Sequence, residues 1–292
     1  MRIGLQIPQF KYPEGSRQIS QVLNDIAITA EKANFSDLWV MDHFFQLEGM
    51  FGPADDPMLE AYSTLNYLAA ITNKIRLGTL VTGVIYRHPG LLVKAVSTLD
   101  VLSSGRANLG IGAAWYEKEA KGLGIPFPPI KERFERLEET LQIIKQMWSG
   151  NRQPFNGKYY QLAEPINSPQ VLSQPHPPIL FGGGGEKKTL RLVAKYGDAC
   201  NLFTYAGIET VKRKLSVLRN HFQDIGRNFN DIEKTVLASV DLTKSSPSDV
   251  IKSFKQFSEI GIESIKVNMP NTHEISPIEV FGEEIIPAVA EI

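Results

Sequence analysis

"ILFGGGGEKKTLRLVAKYGDACNLF", residues 179–203, is the stretch on which the reading of the fold turns. The apolar run Ile179 to Phe181 is short enough for a buried strand, and four consecutive glycines follow, Gly182 to Gly185. Beyond them Leu190, Val193, Ala194 and Gly197 recur at helical spacing, while Lys187, Lys188, Arg191 and Lys195 take other faces. A strand therefore hands over to a helix through glycine, and "DACNLF" starts the next strand.

The same alternation runs in both directions from this point. Upstream, "RIGLQIP" reads as a strand, followed by an amphipathic helix with Ile19, Val22, Leu23, Ile26, Ala27 and Ala30 on one stripe. "DLWVMDHF" pairs with "EAYSTLNYLAAITN", and "IRLGTLVTG" with "GLLVKAVSTLDVLSSG". "ANLGIGAA" leads to a long helix over 131–148, seamed by Phe134, Leu137, Leu141, Ile144 and Trp148. Downstream come "DACNLF" with "IETVKRKLSVLRNHFQDIG", then "KTVLASVDL" with "SPSDVIKSFKQFSEIG". "SIKVNMP" with "ISPIEVFGEEIIPAVAEI" is the eighth pair.

Eight strand–helix pairs predict a (β/α)8 TIM barrel, an α/β fold, over residues 1–292 as one domain. The near-continuous apolar strands suit a parallel sheet buried on both faces. A doubly wound sheet would carry its glycine-rich turn after the first strand, and "LQIPQFKYPEG" has none. The irregular, Pro- and Asn-rich stretch 151–178 reads as an insertion before strand five, with a hairpin turn at Asn156-Gly157.

Composition narrows the class. With 42% hydrophobic residues and 22% charged, the chain can bury a sizeable core. A net charge of −1 offers no field for nucleic acid or an anionic membrane. Cys200 is the single cysteine, which rules out an internal disulfide and a thiolate zinc site. The opening "MRIGLQIP" lacks the features of a signal peptide, and no apolar run nears the roughly 20 residues of a membrane span. A soluble, cytoplasmic protein is expected.

A barrel places its chemistry at the C-terminal ends of the strands. Those ends carry Asp42-His43-Phe44, Thr82-Gly83-Val84, Gly112-Ala113-Ala114-Trp115, the glycine run, Asn201-Leu202-Phe203 and Asn268. Helix N-termini attract anions, and glycines let the backbone approach a phosphate, so Gly182–Gly185 read as a phosphate cradle. The bland alternative is a turn without a ligand. His43 stands beside a carboxylate at a strand end and is the acid–base candidate; His88, His176, His221 and His273 fall in loops, the insertion or helices. Asp42 reads as a cofactor hydrogen-bond acceptor, a cap or a strand-end ion pair. Phe44, Trp115 and Phe203 could wall a substrate pocket. Glu117 and Glu119 read as a solvated helix face. No His-x-His pair supports a catalytic metal, and no lysine projects from a late strand end for a Schiff base.

"DLWVMDHF", "IRLGTLVTGVIYRHPGLLVKAVSTLDVLSSGRANLGIGAAWYEKEAKGLGIPFP", "ERFERLEETLQIIKQMW" and "PPILFGGGGEKKTLRLVAKYGDACNLF" together resemble the luciferase-like monooxygenase superfamily, in its coenzyme F420 (deazaflavin) branch. The resemblance implies an oxidoreductase that moves hydride between F420 and a small organic substrate. It implies a cofactor held by Asp42, Thr82, Gly83, Val84, Gly112, Ala113, Phe181 and Gly182–Gly185, with its phosphate at the glycine run. It further implies a non-prolyl cis peptide, placed at Gly83-Val84, and His43 as the group that takes the substrate proton. Trp115 stands where F420-dependent alcohol and sugar dehydrogenases carry a glutamate, which counts against sugar or simple alcohol oxidation and leaves reduction of an activated, apolar substrate open. An FMN-dependent monooxygenase is the alternative, and a non-catalytic flavin- or deazaflavin-binding protein a second. A homodimer is expected, and a flavin or F420 reductase partner is compatible with either enzyme.

Overall fold

The computed structural model describes residues 1–13 and 15–292. Eight parallel strands form the barrel: β1 (Arg2–Ile7), β2 (Asp37–Val40), β3 (Arg76–Thr79), β4 (Ala107–Gly112), β5 (Ile179–Gly182), β6 (Ala199–Phe203), β7 (Glu233–Ser239) and β8 (Ser264–Asn268). They pair in the order β3-β2-β1-β8-β7-β6-β5-β4, and pairing of β3 with β4 closes the ring. The (β/α)8 barrel read from the alternating pattern is the observed fold.

Strand alternation sorts side chains between two cores. One set, including Leu5, Ile7, Leu38, Val40, Ile111, Ile179 and Phe181, packs outward under the helices. The other fills the barrel interior: Trp39, Leu80, Leu180 and Ala199, with Val81 and Leu237 against them. The helices supply matching stripes, such as Leu23, Ile26, Ala27 and Ala30 on Ile19–Lys32, and Leu137, Leu141, Ile144 and Trp148 on Ile130–Trp148. Each fully buried leucine or isoleucine among them contributes about 1.5–3 kcal/mol.

Helix starts follow their sequence signals. Ser246 and Asp249 form a reciprocal capping box ahead of Pro247–Glu259. His88 accepts from the Gly90 N–H and so caps Pro89–Leu102, with Pro89 in the first turn. The last helical segment, Ser276 to Ala290, contains a π turn at Phe281–Ile285.

Residues 151–178 carry the expected hairpin, Phe155–Asn156 antiparallel to Gln161–Leu162. Its loop spans four residues rather than two. Glu139 fastens it to the long helix by accepting from the N–H groups of Lys158, Tyr159 and Tyr160 at 2.7, 3.0 and 3.1 Å.

One irregularity shapes the mouth. Gly78 pairs with Asn108, but Thr82 pairs next with Ile111, so four steps on one strand face three on the other. The extra residue is a bulge. The non-prolyl cis peptide lies within it, between Leu80 and Val81, which corrects the expected position at Gly83-Val84. A Cβ at Gly110 would overlap the Thr79 carbonyl that the bulge brings over. At Gly112 and Gly182 a Cβ would press on the Val81 side chain, at 3.2 and 2.7 Å.

The base of the barrel holds a buried ion pair. Lys266 Nζ lies 2.8 Å from Asp37 Oδ1 and donates to Ser264 Oγ at 2.9 Å. Ser36 and the Trp39 indole N–H also donate to Asp37. Gly4 is a glycine because a Cβ there would overlap the Asp37 carboxylate.

Candidate active site

The C-terminal ends of β2 and β4 face one another across a constellation centred on His43. The short helix Glu117–Gly122 turns Glu119 inward, and its side chain has no solvent exposure. Oε1 of Glu119 meets His43 Nδ1 at 2.6 Å and also accepts the Tyr86 hydroxyl. Oε2 accepts the backbone N–H groups of Phe44 at 2.7 Å and Phe45 at 3.2 Å. Burial alone would raise the Glu119 carboxyl, but hydrogen bonding and charge from His43, with Tyr86 and Phe44, hold it below the usual carboxylate range. Burial and then Glu119 push the Tyr86 hydroxyl up, so it stays a donor. This corrects the solvated-face reading: Glu117 is exposed and pairs with Lys121, whereas Glu119 is the carboxylate behind the imidazole.

His43 is nine-tenths buried. The rings of Trp115 and Tyr116 stand edge-on to it, with centroids 5.8 and 5.9 Å away. Among the described residues its Nε2 has no hydrogen-bond partner.

Asp42 is fully buried, and Arg87 takes both its oxygens, with Nη2 at 2.9 Å from Oδ1. Arg87 also bonds Glu60 and lies 4.7 Å from the centre of the Tyr62 ring. The strand-end ion pair among the readings of Asp42 is present, with Arg87 as its partner. Sequence reasoning missed Arg87, which lies 45 positions away and is brought in only by the path from β3 to its helix.

The remaining predicted site residues divide by strand parity. Thr82 is buried, and its hydroxyl bonds Tyr62 at 2.8 Å and Thr79 at 3.0 Å. Val84 and Phe181, both expected at the cofactor, belong to the outer core, so only their backbone is left to face the mouth. Val81 takes the inward place instead. Gly83 lies against the Tyr86 ring, where a Cβ would stand 2.6 Å away. Ala113 is half-buried, and Ala114 after it has φ 60° with its carbonyl held by Arg133 Nη1 at 2.6 Å. Trp115 is 56% exposed, a rim residue. Phe44 packs on Tyr86 at 5.1 Å, and Phe203 on Tyr205 at 5.2 Å.

The glycine run has separate causes along its length. Gly182 yields to Val81, as described. Gly183 has φ 101°, which side chains rarely adopt, with open space where a Cβ would lie. Gly184 abuts Lys214, whose Nζ donates to the Gly184 carbonyl, and Gly185 abuts Thr189. Helix Thr189–Tyr196 begins just beyond without a side-chain cap. The turn therefore presents half-exposed backbone and an uncapped helix start at the mouth.

No cluster of three or more His, Cys, Asp or Glu able to hold a metal occurs among the described residues, and none of their helices is long and apolar enough to cross a membrane. A cavity of about 670 Å³ opens at the opposite face of the barrel, lined by Arg2, Lys234 and Glu263 among others. Two of its charges are paired locally, Arg2 with Glu233 and Lys234 with Glu263.

A closed parallel barrel with a histidine–carboxylate pair at its C-terminal mouth defines an enzyme-like (β/α)8 architecture. The chain belongs to the luciferase-like monooxygenase family, whose profile matches residues 1–260. It is 31% identical over 217 residues to an F420-dependent glucose-6-phosphate dehydrogenase of Kineococcus radiotolerans, covering 73% of this chain and 62% of that protein. The chain thus spans somewhat under two thirds of the length of that curated relative. In fold it is similar to an F420-dependent secondary alcohol dehydrogenase bound to an F420-acetone adduct (TM-score 0.82, 19% identity, 99% of each chain). It is similar also to monooxygenase RslO1 from Streptomyces bottropensis (TM-score 0.82, 20% identity, 98% of this chain and 99% of that one).

Proposed function

We propose that the chain is an oxidoreductase transferring hydride between coenzyme F420 and a small organic substrate at the C-terminal mouth. The observation that carries this reading is His43, whose Nδ1 is occupied by Glu119 while Nε2 has no partner among the described residues. The F420-dependent relative supports the choice of cofactor.

The residues fit an anionic cofactor on one side of the mouth. Gly183 offers backbone that a side chain would cover, next to an uncapped helix start, and Lys214 adds a cation bonded to the loop. Gly183–Gly185 would hold the phosphate, and Gly83 and Ala113 would flank the ring system. When bound, F420 supplies a two-electron hydride acceptor or donor. The chain's own part is the proton. His43 Nε2 takes it from a substrate hydroxyl in the oxidative direction and returns it to the substrate oxygen in the reductive one. Trp115, Phe44 and Phe203 give apolar walls, which favours a small apolar substrate over a sugar phosphate. A homodimer in the cytoplasm completes the reading.

Titration of the purified protein with F420 and with FMN, followed by fluorescence quenching, tests the cofactor. Tighter binding of F420 is expected. Tighter binding of FMN would move the chain to the monooxygenase reading.

A further inference from the structure

We propose that Glu119 is the positioning residue for proton transfer at His43: it fixes the proton on Nδ1, leaves Nε2 as the acceptor, and balances the charge of the imidazolium once formed. This rests on the reading of His43 as the proton carrier.

Geometry carries the inference. Glu119 has no exposed surface, so it cannot touch a substrate itself. Its four donors, His43 Nδ1, the Tyr86 hydroxyl and the N–H groups of Phe44 and Phe45, converge on an acceptor-only carboxylate. An ionised carboxylate 2.6 Å from Nδ1 requires a proton on that nitrogen. The two backbone bonds come from the residues directly after His43, so the carboxylate fixes both the imidazole and the turn that bears it. Such outer partners set the tautomer and basicity of a working histidine.

The other groups facing His43 cannot take this role. Asp42, its chain neighbour, is neutralised by Arg87. Trp115 and Tyr116 present ring edges, and the Tyr116 hydroxyl donates to the Gln46 carbonyl at 3.3 Å. Tyr86 meets the same Glu119 oxygen as the imidazole and competes with it. Glu119 is the carboxylate in contact with the ring.

Glu119→Gln keeps the shape and reverses the demand. The amide oxygen can still accept from Phe44 and Phe45, while its NH₂ now donates to Nδ1 and drives the proton to Nε2. We expect kcat to fall about 10²–10⁴-fold with KM and F420 affinity changed only a few-fold, and partial recovery in Glu119→Asp. A readout without cofactor comes from NMR titration of the apo-protein, with the His43 signal assigned by its loss in His43→Ala. The His43 imidazole should titrate at lower pH in Glu119→Gln than in wild type. In Tyr86→Phe, which frees the shared oxygen for the imidazole, it should titrate at higher pH. Opposite shifts would not follow from a merely structural role. An unmoved His43 titration in both variants, with turnover kept in Glu119→Gln while His43→Ala is inactive, overturns the inference and leaves the reading of His43 standing. Full activity of His43→Ala instead removes that reading and with it the catalytic role of Glu119, whatever the titration shows.

Discussion

The barrel buries a carboxylate against a basic side chain at each end, and the two pairs differ in what they can do. At the base, Asp37 meets the ammonium of Lys266 at 2.8 Å, with Ser36, Trp39 and Ser264 saturating the rest. At the mouth, Glu119 meets the imidazole of His43 at 2.6 Å. Both carboxyls are held below their usual range against the opposing cost of burial, by Lys266 in one case and by His43 in the other. The difference lies in the partner. An ammonium has three donors and no acceptor, so the base pair is closed once formed. An imidazole is the side chain that ordinarily gains and loses its proton near neutral pH, and it has a second nitrogen left to work with. One pair is closed, and the other leaves a ring nitrogen without a partner among the described residues.

The sharpest way to break this comparison is to remove one partner from each pair. His43→Ala should lower turnover about 10²–10⁴-fold, the range of a general acid–base, while circular dichroism shows the barrel still folded. Unchanged turnover would make the mouth pair structural, like the one at the base. At the base the cost appears in stability instead. Asp37→Asn leaves the buried Lys266 ammonium without its counter-charge, and about 3–5 kcal/mol should be lost in equilibrium unfolding. A loss under 1 kcal/mol would mean that water or a repacked neighbour replaces the carboxylate.

Acid sharpens the same contrast. Asp37 has a folded value below its unfolded one of about 3.9, so its contribution is complete above that pH and is lost as pH falls through the folded value. Wild type should therefore lose stability below about pH 4, and the Asp37→Asn variant should show a shallower fall there. Parallel curves from urea melts at stepped pH would remove Asp37 from the acid response.

The sequence made the scaffold legible because barrel strands and helices write different periods, and eight alternations leave few other closures. It placed His43 at the mouth for the same reason. Strand parity is legible too: with Gly182 facing inward, the period of two turns Phe181 outward. The bulge was not legible. A single extra residue between Gly78 and Thr82 shows only when β4 is laid beside it, and it shifts which residue, Val81 and not Val84, points inward. Glu119 was hidden differently. In a helix of six residues, Glu117 and Glu119 look alike, and only the long-range partners His43 and Tyr86 decide which one is buried. Arg87 and Asp42 are of the same kind, two ordinary charges until the fold joins them.

The glycine run gives the smallest expected effect and the finest discrimination. Four glycines looked like one device, yet only Gly183 combines a φ of 101° with open space. A Cβ there meets no atom, so Gly183→Ala should act through backbone strain alone, of about 1–3 kcal/mol. If the loop relaxes to relieve that strain, its N–H groups turn away from the phosphate, and F420 affinity should drop roughly five- to a hundred-fold. A deazaflavin fragment lacking the phosphodiester never uses the loop and should bind wild type and variant nearly equally. Gly182→Ala is the contrasting change, because its Cβ would press on Val81 in the floor of the mouth and should weaken both ligands alike. Equal loss of both ligands in Gly183→Ala would show that the run shapes the pocket as a whole, and the phosphate cradle would be wrong.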